Sequence, residues 1–184
     1  QISESYLEPI LLIILAQYPF HIFEFHADNG SEYINKVVVA LLNKLYIKLT
    51  KSRSRHCNDN AQVECKNGAV IRKHMGHFYI HQKSAPEIND FYMKYFNPYL
   101  NFHRPCGFAT LKTDKSGKQK KVYNRYLTPY EAFKGITGAD RFLIPEISLV
   151  KLDKIAKEYS DNEFAGIMEK EKQKLFKDIK VNPV

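Results

Sequence analysis

Asp28 and Glu64 are the two residues whose types and spacing suggest chemistry. Residues 29–63 separate them, a gap of 35 positions. Asp28 closes an alternating stretch, His21 to His26, that reads as a strand, and Glu64 falls in a helical pattern. A carboxylate at a strand end and another on a packed helix can converge on a divalent cation. Mg²⁺ takes oxygen ligands and keeps positions open for water and phosphate oxygens. Two such ions, about 3.5–4 Å apart, activate a nucleophile and stabilise the leaving oxygen of phosphoryl transfer. At about 100° per residue, Asn60, Glu64, Asn67, Gly68 and Ile71 share one helical face, with Arg72 at its edge. Gly68 would allow a close backbone approach there. Lys51, Arg53, Arg55 and His56 precede that helix, where they could hold phosphates. Out of context, Asp before Asn-Gly is usually a turn residue and a lone helical Glu is usually solvated, so the pair depends on its surroundings.

The surrounding elements follow from pattern and punctuation. Residues 3–17 read as a helix apolar nearly all round and therefore buried, its firm part starting near Glu8 with Pro9 in a first turn. Asn29-Gly30 makes a turn after the strand, and Ser31 caps a helix to about Lys44 whose core face includes Ile34, Val37, Val38, Leu41 and Leu42. Tyr46 to Thr50 alternates as a short strand. Asn58 or Asp59 caps the helix carrying Glu64, expected from about Asn60 to Tyr79. Pro86 opens another, to about Leu100. Two β-like runs within 107–127 flank the basic turn Asp114 to Lys121. Thr128-Pro129 starts a short helix that Gly135 and Gly138 end, and Ile147 to Lys180 reads as one or two exposed helices.

The net charge of +8 and sequence pI of about 9.2 favour polyanionic partners, nucleic acid first. Hydrophobic residues at 44% and charged residues at 26% suit a folded domain rather than a disordered one. The longest apolar run, Ile10 to Ala16, falls short of the roughly 20 residues a membrane span needs. The odd set Cys57, Cys65 and Cys106 forms no even disulfide framework, which points to a reducing, cytoplasmic setting. Cys57, Cys65, His74 and His77 lack the usual zinc-ligand spacings.

Residues 26–35 (His26-Ala-Asp-Asn-Gly-Ser-Glu-Tyr-Ile-Asn35) resemble the integrase core of bacterial insertion-sequence transposases, which retroviral integrases share. So do residues 50–73, with Thr50-Lys-Ser-Arg-Ser-Arg, Asn58-Asp-Asn60 and Val63-Glu-Cys-Lys-Asn67-Gly-Ala-Val-Ile-Arg72. The 35-residue spacing matches that family's signature. Weaker similarity continues through Tyr99-Leu-Asn-Phe-His-Arg-Pro105 and Tyr126-Leu-Thr-Pro-Tyr130, so that residues 5–134 are covered. The resemblance implies an α/β, RNase H-like core over 1–105, followed by a small β-rich extension over 106–140 and a helical tail over 141–184. It implies Asp28 and Glu64 as the second and third metal-ligating carboxylates, with two Mg²⁺ or Mn²⁺ ions in the intact site. Lys51, Arg53, Arg55, Asn60, Lys66, Asn67 and Arg72 become candidate DNA contacts. The implied reaction is strand transfer, in which a DNA 3′-hydroxyl attacks a target phosphodiester. Element ends and target DNA are the implied partners, within a homo-oligomer associated with the bacterial nucleoid.

The family's first catalytic Asp lies on an upstream strand, and residues 1–27 hold no Asp. The expectation is a core lacking its first strands, inactive alone, with apolar surface such as Ile13 and Phe25 uncovered. A non-enzymatic DNA-binding remnant of a degraded transposase is the alternative. An RNase H-like nuclease fits the Asn29–Glu32 and Asn60–Arg72 blocks less well, and a general RNA-binding protein lacks a recognisable aromatic stacking motif.

Overall fold

The computed structural model describes the backbone of residues 4–27, 36–53 and 67–181, and the side chains of 8–27, 36–53 and 67–179. The described residues are mixed helix and sheet, predominantly helical with two small sheets. It divides into two compact units, residues 1–79 and 80–184.

In the first unit, helix α1 (Glu4–Gln17) precedes strand β1 (Glu24–Ala27), helix α2 (Lys36–Lys44) and strand β2 (Lys48–Lys51). Helix α3, residues 67–75, is wound as a π-helix over Asn67–Arg72 and as an α-helix over Lys73–Met75. β1 and β2 pair in parallel, Glu24 beside Lys48 and Ala27 beside Lys51, with α2 in the connection. Such a crossover is the usual way to join parallel neighbours. Leu11 of α1, Val38, Leu41 and Leu42 of α2, and Ile47 form the core, with Leu15, Ile22, Phe25 and Leu49 packed against it. The apolar residues of α2 recur at helical spacing, so one stripe reaches the sheet and α1.

Three local expectations change. α1 starts at Glu4, so Pro9 lies inside it rather than in its first turn, and its ring removes one i→i−4 bond. α1 is not buried all round: Leu11 is, whereas Ile10, Ile13 and Ile14 are exposed. A single helix and a two-stranded sheet cover only one side of it. α3 stops at Met75 rather than near Tyr79, because Gly76 turns to φ +81°.

The end of α2 closes differently from the usual glycine cap. Tyr46 N–H donates to the Asn43 carbonyl at 3.1 Å and Ile47 N–H to the Leu42 carbonyl at 2.8 Å. This is the Schellman pattern, and Ile47 and Leu42 supply its hydrophobic contact. The left-handed position falls on Tyr46, φ +56°, where a Cβ is strained.

In the second unit, helix α4 spans residues 82–103. It opens as a 3₁₀ turn (Gln82–Ser84), continues as an α-helix (Ala85–Phe91), and is π-wound over Tyr92–Phe96 and Tyr99–His103. Pro98, which has no N–H to donate, sits between the π-wound stretches. Phe96 stacks on Tyr92 at 5.3 Å and on Phe91 at 6.0 Å, and Phe91 and Phe96 are buried. Strands β3 (Cys106–Thr113) and β4 (Gln119–Leu127) form an antiparallel hairpin with an irregularity at Phe108/Ala109. Helices α5 (Pro129–Lys134), α6 (Leu149–Glu158) and α7 (Asp161–Val181) follow.

The starts of α5 and α7 are built from reciprocal caps. Thr128 accepts from Glu131 N–H while the Glu131 carboxylate accepts from Thr128 N–H. Ser160 and Glu163 repeat the arrangement at α7. The C-terminal helices are not a solvated tail: Leu152, Met168 and Leu175 are buried, and α7 packs along α4. The His103 ring, also buried, stacks on Phe164 at 4.4 Å and meets Asp161 Oδ1 at 3.3 Å. A smaller core joins Tyr130, Leu143 and Leu152, with Phe102, Phe133 and Ile147 against it.

Candidate nucleic-acid interface

Pairing in register aligns the carboxyl ends of β1 and β2. Ala27 lies beside Lys51, and Ser52 N–H donates to the Ala27 carbonyl at 3.0 Å. The carboxyl end of β1, at Ala27, therefore lies at the sheet edge where Lys51, Ser52 and Arg53 leave β2. In open α/β sheets, ligands bind beyond the carboxyl ends of the strands. Lys51 and Arg53 are exposed there, and Ser52 is buried.

Alternation along both strands sorts their faces. Phe25 and Leu49 join the core. The other face carries a polar chain: Thr50 Oγ1 donates to Glu24 Oε1 at 2.5 Å, His26 Nδ1 lies 2.8 Å from Thr50 Oγ1, and His26 Nε2 lies 3.2 Å from Ser52 Oγ. With its hydroxyl proton on Glu24, Thr50 Oγ1 accepts from His26 Nδ1–H, and Ser52 Oγ also donates to the Ala27 carbonyl at 3.4 Å. Sequence reasoning did not assign Glu24, His26, Thr50 and Ser52 to the site. Their signal was the period-two polar alternation, which becomes legible as a set only once the register is known.

Asn67 and Arg72, the other described candidates, are both exposed on α3. No atom lies within 4 Å of where a Gly68 Cβ would sit, so the described residues make no close backbone approach at that glycine. Asp28, Arg55, Asn60, Glu64 and Lys66 lie outside the described residues, as do Cys57 and Cys65. Among the described residues no three His, Cys, Asp or Glu side chains cluster so as to hold a metal ion. No described helix is long and apolar enough to cross a membrane.

The second unit holds another concentration of positive charge. The hairpin and its approach carry Arg104, Lys112, Lys115, Lys118, Lys120, Lys121 and Arg125 against one carboxylate, Asp114. Asp114 is committed to the turn: Oδ1 accepts from Ser116 Oγ at 2.6 Å and from the N–H groups of Ser116 and Lys118, each at 3.0 Å. The Ser116 hydroxyl bond first, then the Lys118 amide, hold its carboxyl below the ordinary range. Gly117, φ +80°, supplies the left-handed residue of the turn.

Behind the hairpin, Asp153 joins α6 to α5. It accepts from Lys134 Nζ at 2.6 and 2.7 Å and from Tyr130 Oη at 2.7 Å. Lys134 first, then Tyr130, hold the Asp153 carboxyl below its usual value. Burial first, then Asp153, push the Tyr130 phenol up. The pair braces two helices and leaves no open catalytic group.

No protein-family model matches the chain. Over 60 residues the chain is 37% identical to a protein of Sinorhizobium fredii (strain NBRC 101917 / NGR234) described as uncharacterized protein y4rM. The match covers 33% of this chain and 17% of that protein.

Proposed function

We propose that residues 1–105 carry part of the catalytic core of a DNA integrase or transposase of the DDE, RNase H-like class. Asp28 and Glu64 are two of its metal-binding carboxylates. The observation that carries this reading is the parallel register of β1 and β2. It brings the approach to Asp28 and the basic run from Lys51 to the same carboxyl edge of a β–α–β unit. A cation bound by carboxylates at such an edge would lie within reach of phosphates held by Lys51 and Arg53. The exposed Asn67 and Arg72 on α3 and the basic balance of the chain are in keeping with a DNA partner.

The donor set suits Mg²⁺ or Mn²⁺, because Asp28 and Glu64 offer hard carboxylate oxygens and no thiolate. When bound, such ions supply activation of the attacking 3′-hydroxyl and stabilisation of the leaving oxygen. Lys51, Arg53, Arg55, Asn60, Lys66, Asn67 and Arg72 would hold and orient the DNA backbone. The apolar residues Ile10, Ile13 and Ile14 on the surface of α1 are consistent with self-association or with further strands of the same core packing there.

A second reading rests on one observation. The exposed basic residues Lys51, Arg53 and Arg72 suit phosphate contacts whether or not catalysis follows. On that reading the chain is a DNA-binding remnant without catalysis. The deciding experiment is Mg²⁺-dependent strand transfer on donor and target DNA, run with the chain alone and with the chain extended by what its gene encodes upstream. Activity of the extended chain alone, lost in Asp28→Asn and Glu64→Gln, supports the integrase. A folded extended chain that binds its DNA but never joins strands supports the remnant.

A further inference from the structure

The hairpin β3–β4 differs from every other described element in having almost no core. Of residues 107–126, only Asp114 and Val122 are even partly buried. A two-stranded hairpin on its own is marginal in water, so large apolar side chains exposed along it call for a reason.

The register sorts the ribbon into two faces. Residues paired across an antiparallel ladder point to the same side. Gly107 pairs with Tyr126, Ala109 with Tyr123 and Leu111 with Lys121, so these six residues share one face. Leu111 is 62% exposed, Tyr123 55% and Tyr126 64%. The irregularity at Phe108/Ala109 adds one residue, Asn124, to β4, which keeps Tyr123 and Tyr126 on the same side although they are three apart. Gly107 makes room for them: a Cβ there would stand 3.2 Å from Tyr123 Cδ1 and 3.4 Å from Tyr126 Cε1. The opposite face and the turn carry Lys112, Lys120, Arg125, Lys115 and Lys118, and Asp114 is occupied within the turn.

We infer that the Tyr123–Tyr126 face of the ribbon is a stacking platform for unpaired bases of single-stranded DNA, with the lysines of the turn on its phosphates. Aromatic rings on a sheet, rimmed by cations, suit a strand whose base faces are free. In a duplex those base faces are covered by neighbouring bases, so rings exposed on a ribbon have no base face to stack on. The cations around the rings complement the phosphates of a nucleic-acid strand. The choice of DNA over RNA rests on the integrase reading; the platform itself does not.

The test is fluorescence anisotropy with the full chain in EDTA, so that no metal-dependent step contributes. The probes are labelled dT20, a duplex of the same length and U20. Tyr123→Ala and Tyr126→Ala are each expected to weaken dT20 binding on the order of tenfold. Tyr123→Phe and Tyr126→Phe, which keep the ring, should stay within about twofold. Melting temperatures near the parent's would show that the alanine variants fold. Lys118→Gln with Lys120→Gln should flatten the salt dependence by about one phosphate contact each. Alanine variants that bind dT20 like the parent would overturn the proposal. So would tighter binding of the duplex, or of U20, than of dT20. Tyrosine-dependent dT20 binding in a chain whose upstream-extended form joins no strands would sink the integrase reading and leave the platform standing.

Discussion

The two sheets among the described residues each have two strands, and they solve that shortage in opposite ways. β1 and β2 give one face to a core of α1 and α2 residues and satisfy the other with a ladder of polar side chains from Glu24 to Ser52. β3 and β4 are longer, depend on their own ladder and a bonded turn, and expose both faces. A parallel pair cannot stand without layers above it. An antiparallel hairpin can project, provided its exposed surface is charged or soon covered. The first sheet is therefore a scaffold for what its carboxyl edge presents, and the second is itself the presented surface.

The largest expected effect breaks the first sheet. Leu42, fully buried in the α1–α2 core, should cost about 2–5 kcal/mol when cut to Ala, read from urea denaturation by circular dichroism. A loss under about 1 kcal/mol would mean that the parallel pair does not depend on that core. Thr128→Ala removes the reciprocal cap that starts α5 directly after β4, and should cost about 1 kcal/mol. An additional loss of dT20 binding would mean that the ribbon's base is held by that cap.

Tyr46→Gly should raise stability by about 0.5–1 kcal/mol, because glycine takes the left-handed conformation without strain and Tyr46 is almost fully exposed. A decrease would show that the Tyr46 ring contributes to the β2 entry. Acid acts on the second unit through Asp153. Its folded pKa is depressed by Lys134 and Tyr130, so its contribution is complete above the ordinary carboxylate range of about 4 and is lost as pH falls through the lower folded value. Asp153→Asn should flatten that acid limb in a pH series of melting curves. The smallest effect sharpens the contrast most directly: Leu111→Ala, on the exposed ribbon face, should change stability by no more than about 0.5 kcal/mol. A cost comparable to Leu42→Ala would mean that the ribbon has a hidden core.

Local chemistry made much of the architecture legible in the sequence. Alternation located β1 and β2, and two β-like runs flanking a basic turn located β3 and β4. Thr128-Pro129 marked the start of α5, Pro86 the start of the long helix, and a basic turn the tip of the hairpin. Each signal is carried by neighbours within a few residues, where backbone geometry and solvent decide the outcome. The spacing of Asp28 and Glu64 was equally plain as a pattern, and so was the basic run from Lys51.

Three features could be decided only by tertiary structure. The parallel register set Ala27 beside Lys51, and with it the His26–Thr50–Ser52 ladder, because partners 24 to 26 residues apart have no local signature. The lysine- and glutamate-rich C-terminal helices looked solvated. Met168 and Leu175 are buried because α4 lies against them, a contact that composition does not encode. Tyr123 and Tyr126 are three apart and would fall on opposite faces of a regular strand. One extra residue in the ladder puts both rings on one side, and only the pairing of β3 with β4 could make that choice.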